Sequence, residues 1–197
     1  MLVHGAGSGP WVFDGWRDDF HDLDVVAVDL QEGLDPAEAS MADYAARVVE
    51  AATAGASPVV LCGWSLGGLA AMIAAPTATP HRLVVLEPSA PRQVLGYDPS
   101  VPDESGVFDP EEVYGAFPAG IRARLESRRA RADRKRGMDV ARPPCPSLVV
   151  YGDEFRDERG IAIAETYGCD ERYIAGFTHW DLVLRPEVRR AVAEWLA

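Results

Sequence analysis

Short apolar runs, rich in β-branched residues and bounded by turn residues, recur along the chain. They are "MLVH" at 1–4, "DVVAVDL" at 24–30, "PVVLCG" at 58–63, "RLVVLE" at 82–87, "SLVVYGD" at 147–153 and "ERYIAG" at 171–176. Near-continuous hydrophobicity is what strands buried on both faces require; a strand with one wet face would alternate. Helical patterns lie between them, "MADYAARVVEAATAG" at 41–55, Leu66 to Ala75, "RGIAIAETYG" at 159–168 and "PEVRRAVAEWL" at 186–196. This alternation predicts an α/β fold: an open, mostly parallel sheet of about six strands flanked by helices. Crossovers should be right-handed, with any site at the carboxyl ends of the strands.

The rhythm breaks over residues 88–145, where proline, glycine and charge replace the strand pattern. This stretch is the candidate lid, inserted into one domain that runs over residues 1–197. Its first half carries Tyr97, Phe108, Tyr114 and Phe117, aromatics that fit an apolar or aromatic substrate group. Its second half, "IRARLESRRARADRKRG", is strongly basic. A solvated, salt-bridged helix face is the expectation there, with an anion-binding surface as the alternative.

With 48% hydrophobic residues the chain has ample material for a core, and its formal charge of -12 repels phosphate backbones and anionic membranes. Neither nucleic acid nor a membrane is therefore an expected partner. Cys62, Cys145 and Cys169 are scattered, with no paired spacing and no histidine at ligand spacing, so neither disulfides nor a metal site is expected. The start "MLVHGAGSGP" lacks a basic leader, and no apolar window reaches the roughly 20 residues of a membrane span. A cytoplasmic protein acting on a small molecule, without a cofactor, is the expectation.

"VVLCGWSLGG" at 59–68 contains G-x-S-x-G between an apolar strand and a small-residue helix. In so tight a turn Ser65 is held in a strained conformation, and its neighbours must be glycine to clear the crossing chain. Its hydroxyl then stands above the sheet beside a helix N-terminus, whose amides and dipole suit an oxyanion. The bland reading is a strand-to-helix turn capped by serine. A serine nucleophile needs a base, and of the four histidines His179 is the choice, because "YIAGFTHWDLVL" places it in a loop after the last predicted strand. His4 reads as part of a turn, and His21 and His81 lie in polar connections. "HGAGSGPW" at 4–11 supplies a glycine loop, making the Ala6 and Leu66 amides the candidate oxyanion donors. Trp64, beside the nucleophile, should narrow the acyl pocket.

These stretches resemble the α/β-hydrolase family, in particular its methylesterase and hydroxynitrile lyase branch. The matches are "LVHGAGSGPWVFDGW", "VVAVDLQEGLDP", "VVLCGWSLGG", "LVVYGDE" and "FTHWDLVL", in the family's order. The resemblance implies a triad of serine, acid and histidine under a variable lid, with Ala6 and Leu66 at the backbone oxyanion positions. It also implies a sheet trimmed at one edge, since the family has two further strands before the "HG" loop. The family's acid position, three residues after Gly152, is Phe155. Glu87, at the end of "RLVVLE", Asp153 and Asp157 are the candidate acids, and no acid at all stays open. Other readings of Glu87 are a helix cap or an ion pair with Arg92. The expected activity is a serine hydrolase cleaving a small carboxylic ester or thioester. A lyase, isomerase or cyclase in the same pocket, or a non-catalytic binder of small molecules, are the alternatives.

Overall fold

The pleat divides the apolar runs of the inner strands between two cores, which is why those runs show no alternation in sequence. In a computed structural model that describes residues 1–55 and 58–197, the strands are β1 (Leu2–Val3), β2 (Ala27–Val28), β3 (Val60–Trp64), β4 (Arg82–Leu86), β5 (Val107–Phe108), β6 (Glu126–Ser127), β7 (Ser147–Tyr151) and β8 (Asp170–Tyr173). Six of these form one sheet in the order β2-β1-β3-β4-β7-β8, every pair parallel. The helices are α1 (Trp16–Asp19), α2 (Met41–Ala54), α3 (Leu66–Ala78), α4 (Arg92–Leu95), α5 (Pro110–Tyr114), α6 (Arg128–Arg136), α7 (Ala162–Tyr167), α8 (Asp181–Leu184) and α9 (Pro186–Leu196).

Leu83, Val85 and Val149 point to the face packed by Tyr44 and Val48 of α2 and by Leu69 and Met72 of α3. Val84, Leu86, Leu148 and Val150 point to the opposite face, against Phe13, Trp16, Leu182, Val188 and Val192. Each such side chain contributes roughly 1.5–3 kcal/mol on leaving water, so both helix layers are held to the sheet by the alternating halves of the same strands. α2 begins where Ser40 and Asp43 form a reciprocal capping box.

Two expectations shift in detail. The run "ERYIAG" pairs only over β8, whose side chains are exposed, because it is the edge of the sheet. The helix expected at 159–168 starts as a π-helical turn, Arg156–Ile161, before becoming α7. Between β4 and β7 the chain leaves the sheet and forms α4, the small antiparallel pair β5–β6, α5 and α6. Among the described residues no helix is long and apolar enough to cross a membrane.

Candidate active site

β3 enters α3 through Ser65, whose φ of 56° and ψ of -121° are strained for a non-glycine residue. A Cβ on Gly63 would come within 2.5 Å of the Gly67 carbonyl oxygen, and one on Gly67 would collide with the carbonyl oxygens of His4 and Val3. The turn is clamped on both sides: Ser65 N donates to Leu86 O at 3.1 Å, and Ser89 N donates to Ser65 O at 2.9 Å. These bonds, with the buried α3 behind, offset a strain of about 1–3 kcal/mol. Ser65 and His179 line one cavity of about 410 Å³, with Ala6, Trp64, Phe117 and Phe155 among its walls. Ser65 Oγ has no hydrogen-bond partner among the described residues, His179 included.

The carboxylate of Glu87 is completely buried at the end of β4, at a φ of 39° that makes it a second strained residue beside the first. Its Oε1 accepts from Gly152 N at 2.8 Å, and its Oε2 lies 2.7 Å from His179 Nδ1. Nδ1–H donating to Glu87 leaves Nε2 as the ring's acceptor. Burial pulls the His179 pKa below its ordinary 6.5, against the opposing pull of Glu87. The imidazole is therefore held neutral near neutral pH.

The other candidate acids are placed elsewhere. Asp153 accepts from Tyr173 Oη and, at 2.9 Å, from Gly176 N, so its carboxylate braces the turn after β8 and not the imidazole. Asp157 is exposed on the π-helical turn. Phe155 presents its ring edge-on to His179 at 5.3 Å between centroids. Glu87 does not pair with Arg92, whose guanidinium lies over Tyr97 at 4.8 Å.

Trp64 is only 2% exposed and borders the cavity, but it also carries the histidine loop. Its indole N–H donates to the His179 carbonyl at 3.1 Å, and its ring lies 5.1 Å from the imidazole and 4.7 Å from Trp180. His179 N donates to Glu154 Oε2 at 2.9 Å, and Asp153 N to Phe177 O at 2.9 Å, tying the loop to the end of β7. Ala6 borders the cavity, and Leu66 opens α3 next to Ser65. Neither the Ala6 nor the Leu66 amide donates to an acceptor among the described residues. Of the four lid aromatics, Tyr114 and Phe117 line this cavity; Phe108 is buried beneath the surface and Tyr97 is exposed.

Two residues that sequence reasoning passed over hold the glycine loop. Glu126 of β6 is buried: its Oε2 accepts from Gly7 N at 2.8 Å, and its Oε1 from Tyr44 Oη at 2.6 Å and Ser127 N at 2.8 Å. The one signal for it was an acid inside a basic run. His4, expected in a turn, is buried: its Nδ1–H donates to Gly5 O at 2.9 Å, and its Nε2 accepts from Leu30 N at 3.1 Å. Among the described residues no group of three or more His, Cys, Asp or Glu side chains is placed to hold a metal ion.

The sequence model of the alpha/beta hydrolase family matches residues 1–196, and the chain belongs to that family. Among solved structures it is similar to polyneuridine aldehyde esterase (a mutant form), at 17% identity and a TM-score of 0.74, covering 100% of this chain and 98% of that one. It is similar to a methylesterase from Arabidopsis at 16% identity and a TM-score of 0.71, covering 99% and 97%. It is also similar to Est1E from Butyrivibrio proteoclasticus, solved with ferulic acid, at 20% identity and a TM-score of 0.67, covering 99% and 86%. At these identities the likeness is one of fold. No curated protein matches the chain.

Proposed function

We propose that this protein is a serine hydrolase that cleaves a small carboxylic ester or thioester through an acyl-enzyme, with residues 88–145 as its lid. The observation that carries the reading is a strained serine sharing a cavity with an imidazole that a fully buried carboxylate engages at 2.7 Å. In this reading Ser65 Oγ adds to the carbonyl carbon while His179 Nε2 takes its proton, and the Ala6 and Leu66 amides hold the oxyanion. Glu87 keeps the Nδ1–H tautomer and stabilises the imidazolium. Collapse of the tetrahedral species expels the alcohol or thiol, protonated by His179, and water then releases the acid by the same steps in reverse roles. Contacts between nucleophile and base of this kind often close only when substrate is bound, so an open Ser65 to His179 approach is compatible with it.

Esterases among proteins of like fold support this reading over a binding protein, though each is similar in fold only. The lyase or isomerase alternative rested on the missing acid at Phe155, and the Glu87 contact favours the hydrolytic reading over it. The test is a fluorophosphonate probe followed by mass spectrometry. The expected adduct is on Ser65, absent in Ser65→Ala; labelling that persists in that variant ends the proposal.

A further inference from the structure

α6 is the most basic element of an acidic protein, yet its cations are not all spent on ion pairs. Arg136 pairs with Asp103, and Arg128 approaches Glu104 at 4.0 Å. Arg134 differs. Its Nη1 donates to Ser89 Oγ at 3.1 Å and its Nη2 to Tyr114 Oη at 2.8 Å, both neutral oxygens, and its Nε is buried without a partner among the described residues. Ser89 is the residue whose amide holds the Ser65 carbonyl, so this charge lies one contact from the nucleophile turn.

A second guanidinium faces the same space. Arg159, on the π-helical turn, is stacked over the Phe155 ring at 3.8 Å, and Glu158, its nearest acid, approaches Nε no closer than 3.7 Å. Burial, and then the charge of Arg134, hold the Arg159 pKa below its ordinary value. Both arginines line the Ser65 cavity and also an adjoining one of about 520 Å³, which Arg131 and Lys135 border as well. Glu154 and Glu158 are the acids on these walls; the first is engaged by the His179 amide, and the second is 64% exposed. Two repelling cations kept together in a half-buried cleft are a site that a planar anion completes, since each fork can meet a carboxylate bidentately.

We infer that Arg134 and Arg159 form a subsite for a carboxylate carried by the substrate itself, so that the ester cleaved at Ser65 is an anionic one. Phe155 then has a use in place of the usual acid: it is the platform that aims Arg159 across the cavity. This inference rests on the hydrolytic reading for its substrate, but not for its anion.

The test compares mono-p-nitrophenyl glutarate with p-nitrophenyl pentanoate, which match in acyl length and differ in the terminal carboxylate. The wild-type protein should favour the glutarate in kcat/KM by about tenfold or more. That ratio should fall at least fivefold in Arg134→Gln and in Arg159→Gln, and recover in part in Arg134→Lys. A wild-type ratio near one, or a ratio unchanged in both glutamine variants, overturns the subsite. Should neither ester be turned over, the hydrolytic reading fails by itself, and calorimetry with monomethyl glutarate and methyl pentanoate decides the subsite. Preferential binding of the former, weakened at least fivefold in Arg134→Gln, supports it; equal affinity overturns it.

Discussion

The turn from β3 into α3 places Ser65, its flanking glycines and the first amide of α3 in one contiguous stretch, whereas Glu87 and His179 meet across 92 residues of sequence. The first is enforced by clearances between backbone atoms, such as the gap between Gly67 and the carbonyls of His4 and Val3. The second is enforced by burial: a carboxylate with no solvent exposure, one oxygen committed to Gly152 N and the other to the imidazole. A local device is robust to changes elsewhere, while a through-space pair depends on every element that carries it.

Substitutions that attack each half separately should break that comparison in order of size. Ser65→Ala removes the proposed nucleophile and should lower kcat on p-nitrophenyl esters by about four orders of magnitude or more, with an unchanged melting temperature. Glu87→Gln keeps the shape but loses tautomer control, and should cost about 10³–10⁴ in kcat. If Glu87→Gln is as active as wild type, the acid has been misassigned.

Glu126→Ala tests the anchor of the glycine loop that borders the cavity. It leaves the Gly7 amide, the Ser127 amide and the Tyr44 hydroxyl without their acceptor. A loss of about 3 kcal/mol in denaturant unfolding is expected. The pH profile sharpens the comparison further. In the proposed mechanism His179 must be neutral to act, and burial holds its pKa below 6.5, so kcat/KM should hold as pH falls past 6.5. It should then drop about tenfold per unit once the depressed pKa is crossed. Glu87→Gln removes the group that pulls this pKa up, so the acid limb of its residual activity should move to lower pH. Asp153→Asn, whose side chain touches only the end of β8 and the turn that follows it, should change kcat by less than about threefold.

The family and the sheet were legible from the chain, because each strand is a separate apolar run and each run has its own turn residues. β8 was the least faithful, its run reading as a buried strand although it lies at the exposed edge. The serine and its two glycines were legible for the same local reason. The choice among Glu87, Asp153 and Asp157 was not, since nothing in "RLVVLE" or "LVVYGDE" says which carboxylate faces the histidine loop.

By itself, then, the sequence determined what neighbours along the chain can enforce: alternating strands and helices, a turn that only small residues permit, and a histidine in a loop at the right edge. Only the tertiary structure decided which carboxylate lies against His179, that Glu126 anchors the glycine loop, and that Arg134 has no counter-charge among the described residues. Steric exclusion acts over a few bonds and leaves a pattern in residue types. Burial and charge pairing act through space, between segments whose order in the chain carries no record of their contact.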